Sequence, residues 1–421
     1  MHVSTQEESV ATTVSINAGI KYSNDHRRRI LAVACGAHAL HDGFTDLIYV
    51  LLPTWQAEFG LSYAALASLR MLFAGAMAGL QVPASSLAVR LGGPLVLAIG
   101  TALVGGAYVT ISLTHAGFFL LVVALLVGGA GAATQHPIGS SLVATAYERQ
   151  GARGPLGTYN FAGDLGKMAL PAATALLMAA LTWRTAVGFI GAIGLCAAAA
   201  ILLLLPRNVS ISLRRDEQSP SIANAATAPR QRYAFPLLLA IGVLDSGTRM
   251  GFLAFLPFVL RAKGAETPTI GLALSLIFAG GAAGKLACGW LGARLGVLRT
   301  VILTELGTAI GIMALAPLPL AAALACLPLI GIALNGTSSV LYGTVPELVP
   351  PDRRQHAFGL FYTGTIGGGA IAPVLYGFAG DAFGPTHAIL IVAMVCVLTL
   401  PLAWALRPSL RNPPPPLAGG G

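Results

Sequence analysis

The chain has 421 residues, 55% hydrophobic and 10% charged, with a mean hydropathy of +0.76 and a formal net charge of +9. Soluble domains carry about 25% charged residues, so this composition excludes an ordinary soluble globular protein. The positive balance does not point to nucleic acid, because the basic residues sort with the loops between apolar stretches. The expected partners are therefore a lipid bilayer and a small molecule, with the chain acting as a monomer.

Residues 1–29 are polar, lack the apolar core of a signal peptide, and read as a cytoplasmic tail. Twelve apolar stretches follow, at about 30–53, 64–88, 94–114, 117–145, 155–180, 185–206, 234–260, 269–292, 298–316, 320–345, 356–380 and 386–406. Each approaches the roughly 20 residues needed to cross the hydrocarbon core. The fourth is weakened by "GGAGAATQHPIGSS". With the N-terminus inside, 18 of the 25 basic residues fall in the inner loops and tails, and Arg184, Arg261 and Lys263 fall outside. That asymmetry sets both termini in the cytoplasm of a cell (inner) membrane.

The first stretch carries "HALHDGFTDLIY", residues 38–49. Ionisable groups inside spans are costly and mark ion or substrate pathways. On a helix, residues three or four apart share a face, so His38, Asp42, Thr45 or Asp46, and Tyr49 form a stripe. Two carboxylates on one buried face repel each other, an arrangement suited to holding a proton. Leu40, Phe44, Leu47, Ile48, Leu51 and Leu52 are left for lipid or neighbouring helices. The spacing His41-x4-Asp46 also matches an acyltransferase motif. Five positions do not share a helix face, so an enzyme is not expected.

Further along, Arg70 interrupts the second stretch. His136 precedes Pro137, whose missing N–H frees a carbonyl that Gln135 or His136 is expected to satisfy. Asp164 and Lys167 stand at i, i+3 and read either as an intrahelical pair or as a substrate contact. Lys285 and Glu305 are expected to snorkel towards a membrane surface. The five cysteines contain no CxxC pair, which argues against zinc and against a disulfide framework. No cofactor or metal is expected, and the proton is the expected coupling ion. Glycine clusters such as "GGAGAA" do not follow a strand, so they read as packing surfaces.

The polar stretch 207–233 divides the apolar ones six and six, giving halves at 30–206 and 234–406 and a disordered tail at 407–421. The halves repeat. Arg90 corresponds to Arg294 and Pro53 to Pro257, both 204 positions apart, while Asp42 corresponds to Asp245 and Tyr159 to Tyr362, both 203 apart. Asp46 corresponds to Arg249, and the pair is expected to meet across a central cavity. Duplicated six-helix bundles around a midplane site are a transporter plan. The expected fold is an all-α membrane protein, with twelve transmembrane helices in two pseudo-symmetric halves.

The loops "SSLAVRLGGP" and "GWLGARLGVLR" resemble the G-x-x-x-D-R-x-G-R-K signature of the major facilitator superfamily. They keep Arg90, Gly92, Arg294 and Gly296 but place Val89 and Ala293 where the family has an acid. Within it, His38-x-x-x-Asp42, "GAATQHP" and "GTYNFAGDLGKMALP" are similar to the fosmidomycin-resistance-like exporters, with His41, Ile138 and Asp164 as departures. The resemblance implies alternating-access secondary transport. Proton-coupled export of a small organic compound or drug, anionic or not, is the leading expectation, and proton-coupled uptake of an organic acid is the alternative. The expected proton-coupling residues are Asp42, Asp46 and His38. The expected substrate contacts are Arg249, Lys167, Asp164, Arg70, Asp245, Tyr49 and His136.

Overall fold

The computed structural model describes residues 23–113, 117–148, 151–206, 233–350 and 353–411. The bulk of the N-terminal tail, the 207–232 linker and the 412–421 tail lie outside the described residues. The rest is helix, in fifteen segments that make twelve rods.

Three rods are broken in the middle. The first is α1 (Asn24–Asp46) followed by α2 (Ile48–Phe59), the fourth is α5 (Phe118–Ala132) followed by α6 (Gln135–Ala146), and the last is α14 (Pro385–Val397) followed by α15 (Thr399–Arg411). At each break the backbone tightens to i→i+3 bonding: Val50 N–H to Leu47 O, Thr134 N–H to Gly131 O, and Leu398 N–H to Val395 O. Pro53, Pro137 and Pro401 follow within a few residues, and each withholds a backbone donor.

The unbroken rods are α3 (Tyr63–Leu91), α4 (Gly93–Leu113), α7 (Arg153–Ala180), α8 (Trp183–Leu204), α9 (Ala234–Ala262), α10 (Thr267–Leu295), α11 (Val297–Leu315), α12 (Leu320–Leu348) and α13 (Arg354–Phe383). Ten rods are long and apolar enough to cross a membrane. The other two, α1–α2 and α7, carry His38, His41, Asp42, Asp46, Asp164 and Lys167. Large apolar side chains such as Phe119, Leu203 and Phe378 face outward, as a lipid-facing surface requires.

The repeat has a structural counterpart at two glycines. Gly92 ends α3 with φ 94° and ψ 137°, and Gly296 ends α10 with φ 80° and ψ 161°. A side chain at such a φ is strained, which is why the eroded loop signature keeps these residues. Arg294 stacks on Trp290, 4.2 Å from the ring centroid.

The apolar core tells which face is closed. One continuous cluster joins the first six rods to the last six, with Leu51, Trp55, Leu66 and Ala175 packed among Phe255, Leu260, Leu274 and Tyr376. Towards the face that carries Ser23 and Arg411 the core separates. One cluster there draws only on residues from Ile30 to Leu205, and another only on residues from Ala234 to Leu406. Leu40, Phe44, Leu47, Ile48, Leu51, Leu52 and Trp55 of the first rod are therefore core rather than lipid-facing. The closed face is also tied by polar contacts. Asp381 of α13 accepts from the first N–H groups of α3, Tyr63 N at 2.6 Å and Ala64 N at 3.2 Å. Two of the three basic residues expected outside are anchored there: Arg184 pairs with Glu58, and Lys263 Nζ donates to the Ala316 and Leu318 carbonyls, both at 2.7 Å.

Candidate functional site

Asp42 is the hub of the first bundle. It sits on α1, 7% exposed, where α7 comes very close. A Cβ on Gly166 would lie 1.8 Å from the Ala39 carbonyl oxygen, so only glycine lets the two helices touch. This closeness brings Lys167 Nζ to 3.2 Å from Asp42 Oδ2. His38 Nε2 lies 3.5 Å from Oδ2, and His136 Nε2 lies 3.7 Å from Oδ1. His38 is held by its other nitrogen, 2.7 Å from the Tyr159 carbonyl oxygen, and by stacking on the Tyr159 ring. Its Nε2 is buried without a hydrogen-bond partner. The break before α6 aims His136 at Asp42. His136 and Gln135 therefore do not close on the carbonyl freed by Pro137, as expected from sequence. Gln135 Nε2 instead donates to the Tyr159 hydroxyl at 3.2 Å.

The Asp164–Lys167 pair expected within α7 is loose, at 3.9 Å. The tight partner of Asp164 is Lys285 of α10, whose Nζ lies 2.6 and 2.8 Å from its two carboxylate oxygens. Lys285 does not snorkel. It forms an ion pair between the first and second sets of six rods. Glu305 does not snorkel either, being buried at 2% exposure. Sequence reasoning missed both, because an alternating run of glycine and apolar residues around Lys285 gives no hint of which neighbour it meets.

The expected Asp46–Arg249 contact is not formed. Arg70 of α3 lies 3.8 Å from Asp46 Oδ1 and 5.4 Å from the Tyr49 ring centroid. Arg249 instead turns to Asp245, one turn back on α9, at 3.5 Å, and to the Ser338 hydroxyl of α12 at 3.4 Å. The repeat explains this. Where α1 has two aspartates a turn apart, α9 has an aspartate and an arginine, which satisfy each other locally. Tyr49 is fully buried on the closed side and donates to Met250 Sδ at 3.3 Å, so it does not reach an open cavity in this conformation.

His41 points to α4, where its Nε2 lies 2.9 Å from Thr101 Oγ1. It therefore diverges from Asp46, which removes the geometry of a His–Asp catalytic pair. His38, Asp42 and His136 place three ligand-type atoms within 4.8 Å of one another. The Lys167 ammonium already stands against Asp42, so a metal ion would have to displace a cation. The loop residues Arg90 and Arg294 are exposed and lie at the ends of α3 and α10, away from this network.

Among the described residues, four basic side chains thus meet carboxylates inside the bundle: Arg70 with Asp46, Lys167 with Asp42 and Asp164, Lys285 with Asp164, and Arg249 with Asp245. The acids lie deep. His136, Lys167 and Lys285 keep 45, 29 and 39% of their side-chain surface accessible. The arrangement presents cations to an entering group, with carboxylates behind them.

The sequence pattern described as Major Facilitator Superfamily matches residues 34–244 and 238–420. A probable L-galactonate transporter from Escherichia coli (strain K12) is 25% identical over 252 residues. That alignment covers 56% of this chain and 55% of the relative, so the chain spans about half the length of the curated relative it matches. Among solved structures, a bacterial homolog of the human lysosomal transporter Spinster, inward-facing and occupied, superposes with a TM-score of 0.76 at 16% identity, covering 94% of this chain and 100% of the other. The nucleoside transporter NupG, as a D323A mutant, gives 0.73 at 13% identity, covering 90% and 99%.

Proposed function

We propose, from the premise that the chain belongs to the Major Facilitator Superfamily, that it is a secondary transporter that moves a small organic anion together with protons. The observation that carries this reading is the engagement of Lys167 and Lys285 by Asp42 and Asp164. A substrate carboxylate that takes these lysines leaves the aspartates without a partner at bilayer depth. A buried unpaired charge is strongly disfavoured, so anion binding and proton uptake favour each other. Linkage makes this reciprocal: each proton bound at Asp42 or Asp164 frees a lysine for the anion.

Cooperative binding of proton and anion is the signature of co-transport. An inward proton gradient then drives uptake of the organic acid. The export expected from sequence needs the opposite relation, with proton and substrate competing for one site. The name of the galactonate relative supports a carboxylate substrate, and none of the relatives described above supports the fosmidomycin-resistance-like affiliation. Asp164–Lys285 spans the two bundles, so exchanging Asp164 for substrate loosens one bundle from the other and links occupancy to rocking. Asp42 with His38 and His136 forms the proton-accepting group in this scheme. The excess of Arg on the Ser23–Arg411 face supports placing that face in the cytoplasm.

The test is a panel of sugar acids and short carboxylates offered to proteoliposomes that contain a luminal pH dye. The expected result is acidification of the lumen in step with accumulation of one class of acid, lost in Asp42→Asn. Accumulation without any proton movement, or with protons moving the other way, would overturn the proposal.

A further inference from the structure

Glu305 on α11 is 2% exposed and has no Lys or Arg within ion-pair distance among the described residues. Its Oε2 accepts from the Cys396 thiol of α14 at 3.1 Å and from the Thr399 hydroxyl of α15 at 3.3 Å. Its carboxyl also faces the side chain of Asp245 on α9. Asp245 is itself 4% exposed, and its cation is Arg249 at 3.5 Å.

The charges around this pair do not balance. The facing groups are Cys396, Thr399 and, from α12, Thr337, whose hydroxyl donates to Thr304 at 2.7 Å. All are neutral. Lys285 of α10 is committed to Asp164. Two carboxyls therefore share one guanidinium. The first bundle differs, because there Asp42, Asp46 and Asp164 are met by Lys167, Arg70 and Lys285. Ionised carboxylates only accept hydrogen bonds, so neither of two facing carboxyls satisfies the other unless one of them carries a proton. Two like charges in contact, away from water, are the alternative, and they are heavily disfavoured.

We propose that Asp245 and Glu305 share one exchangeable proton and form a second proton-binding site, in the second bundle. With the proton present, Asp245 holds Arg249 less firmly and the guanidinium is available to an anion. Without it, both carboxylates pull Arg249 back. The proton site stands on the pair itself. Only the role given to Arg249 rests on the function proposed above.

Infrared spectroscopy of the purified, substrate-free protein tests it, because a protonated carboxyl has a C=O stretch that shifts in deuterium oxide. The expected result is one such band in the wild type, bleached as pH rises. It should be lost in Glu305→Gln and in Asp245→Asn. It should be displaced in Thr399→Val, which keeps both acids and removes a donor to Oε2. Absence of the band in the wild type, persistence of the band in both acid variants, or a band unchanged by pH while the protein stays folded would overturn the proposal. Failure of transport in every assay leaves these readings intact, so the two proposals fail separately.

Discussion

Asp46 and Arg70 show what a charge costs at this depth. Their side chains are 8 and 10% exposed and 3.8 Å apart. Removing one partner of a buried pair costs about 3–5 kcal/mol, whereas replacing both with apolar or neutral groups is often near neutral. Arg70→Met is therefore expected to lower thermal stability in detergent sharply, and Asp46→Asn with Arg70→Met to recover most of the loss. A double variant no more stable than Arg70→Met would show that the two do not act as a pair. Lys167 gives a prediction about function instead. Lys167→Ala removes both a contact to Asp42 and the proposed anchor for substrate. Substrate affinity should fall about tenfold or more, the order of one charge-assisted hydrogen bond, and ligand binding to purified protein measures it. At this scale the sequence was legible in kind but not in pairing. The stripe on α1 brings His38 to 3.5 Å from Asp42, while Asp46 meets Arg70 of α3. Arg249 was assigned to Asp46 by symmetry, yet α9 offered Asp245 one turn away, and a local partner wins over one across a cavity.

Helix α7 depends on a single missing methyl group. At Gly166 a Cβ would fall 1.8 Å from the Ala39 backbone oxygen, while at Gly367 of α13 it would meet nothing within 4 Å. Overpacking typically costs about 1–3 kcal/mol and occasionally more, and here the obstacle is backbone. Gly166→Ala is expected to reduce the melting temperature and to part Lys167 from Asp42, whereas Gly367→Ala should be tolerated. Equal behaviour of the two variants in a thermal-shift assay would contradict this account of how α1 and α7 meet. The helices themselves were readable from hydropathy and length. Their breaks at Leu47, Ala133–Thr134 and Leu398 were less so, because a proline signals a lost hydrogen bond without saying which turn tightens. The glycine clusters read as packing surfaces, and glycines before Pro171 and Pro373 serve as such. A Cβ on Gly369 would fall 2.6 Å from Ser246 Oγ, as one on Gly166 would meet the Ala39 backbone, and both show that role.

Across the whole molecule, the shared core on one face and the divided cores on the other describe a conformation closed at one end. Asp381 holds the closed face by capping α3. Losing a helix N-terminal cap costs about 1 kcal/mol, which corresponds to a shift of about fivefold in an equilibrium. Asp381→Ala is therefore expected to raise, about fivefold, the rate at which a maleimide modifies Ser275→Cys, a position whose hydroxyl now donates to the Met168 carbonyl at 2.6 Å. No change in rate would mean that apolar packing alone keeps this face shut. Which face is closed was not legible in the sequence, since both conformations bury the same helices against different neighbours.

The central claim is that proton and anion help each other to bind. Calorimetric titration of the purified protein with its organic acid, repeated over a range of pH at constant ionisation of that acid, tests it most directly. The account predicts that affinity tightens as pH falls in the wild type and that this dependence is weaker in Asp42→Asn, where Lys167 is already released. Affinity that weakens as pH falls would show competition in place of cooperation, and would contradict co-transport.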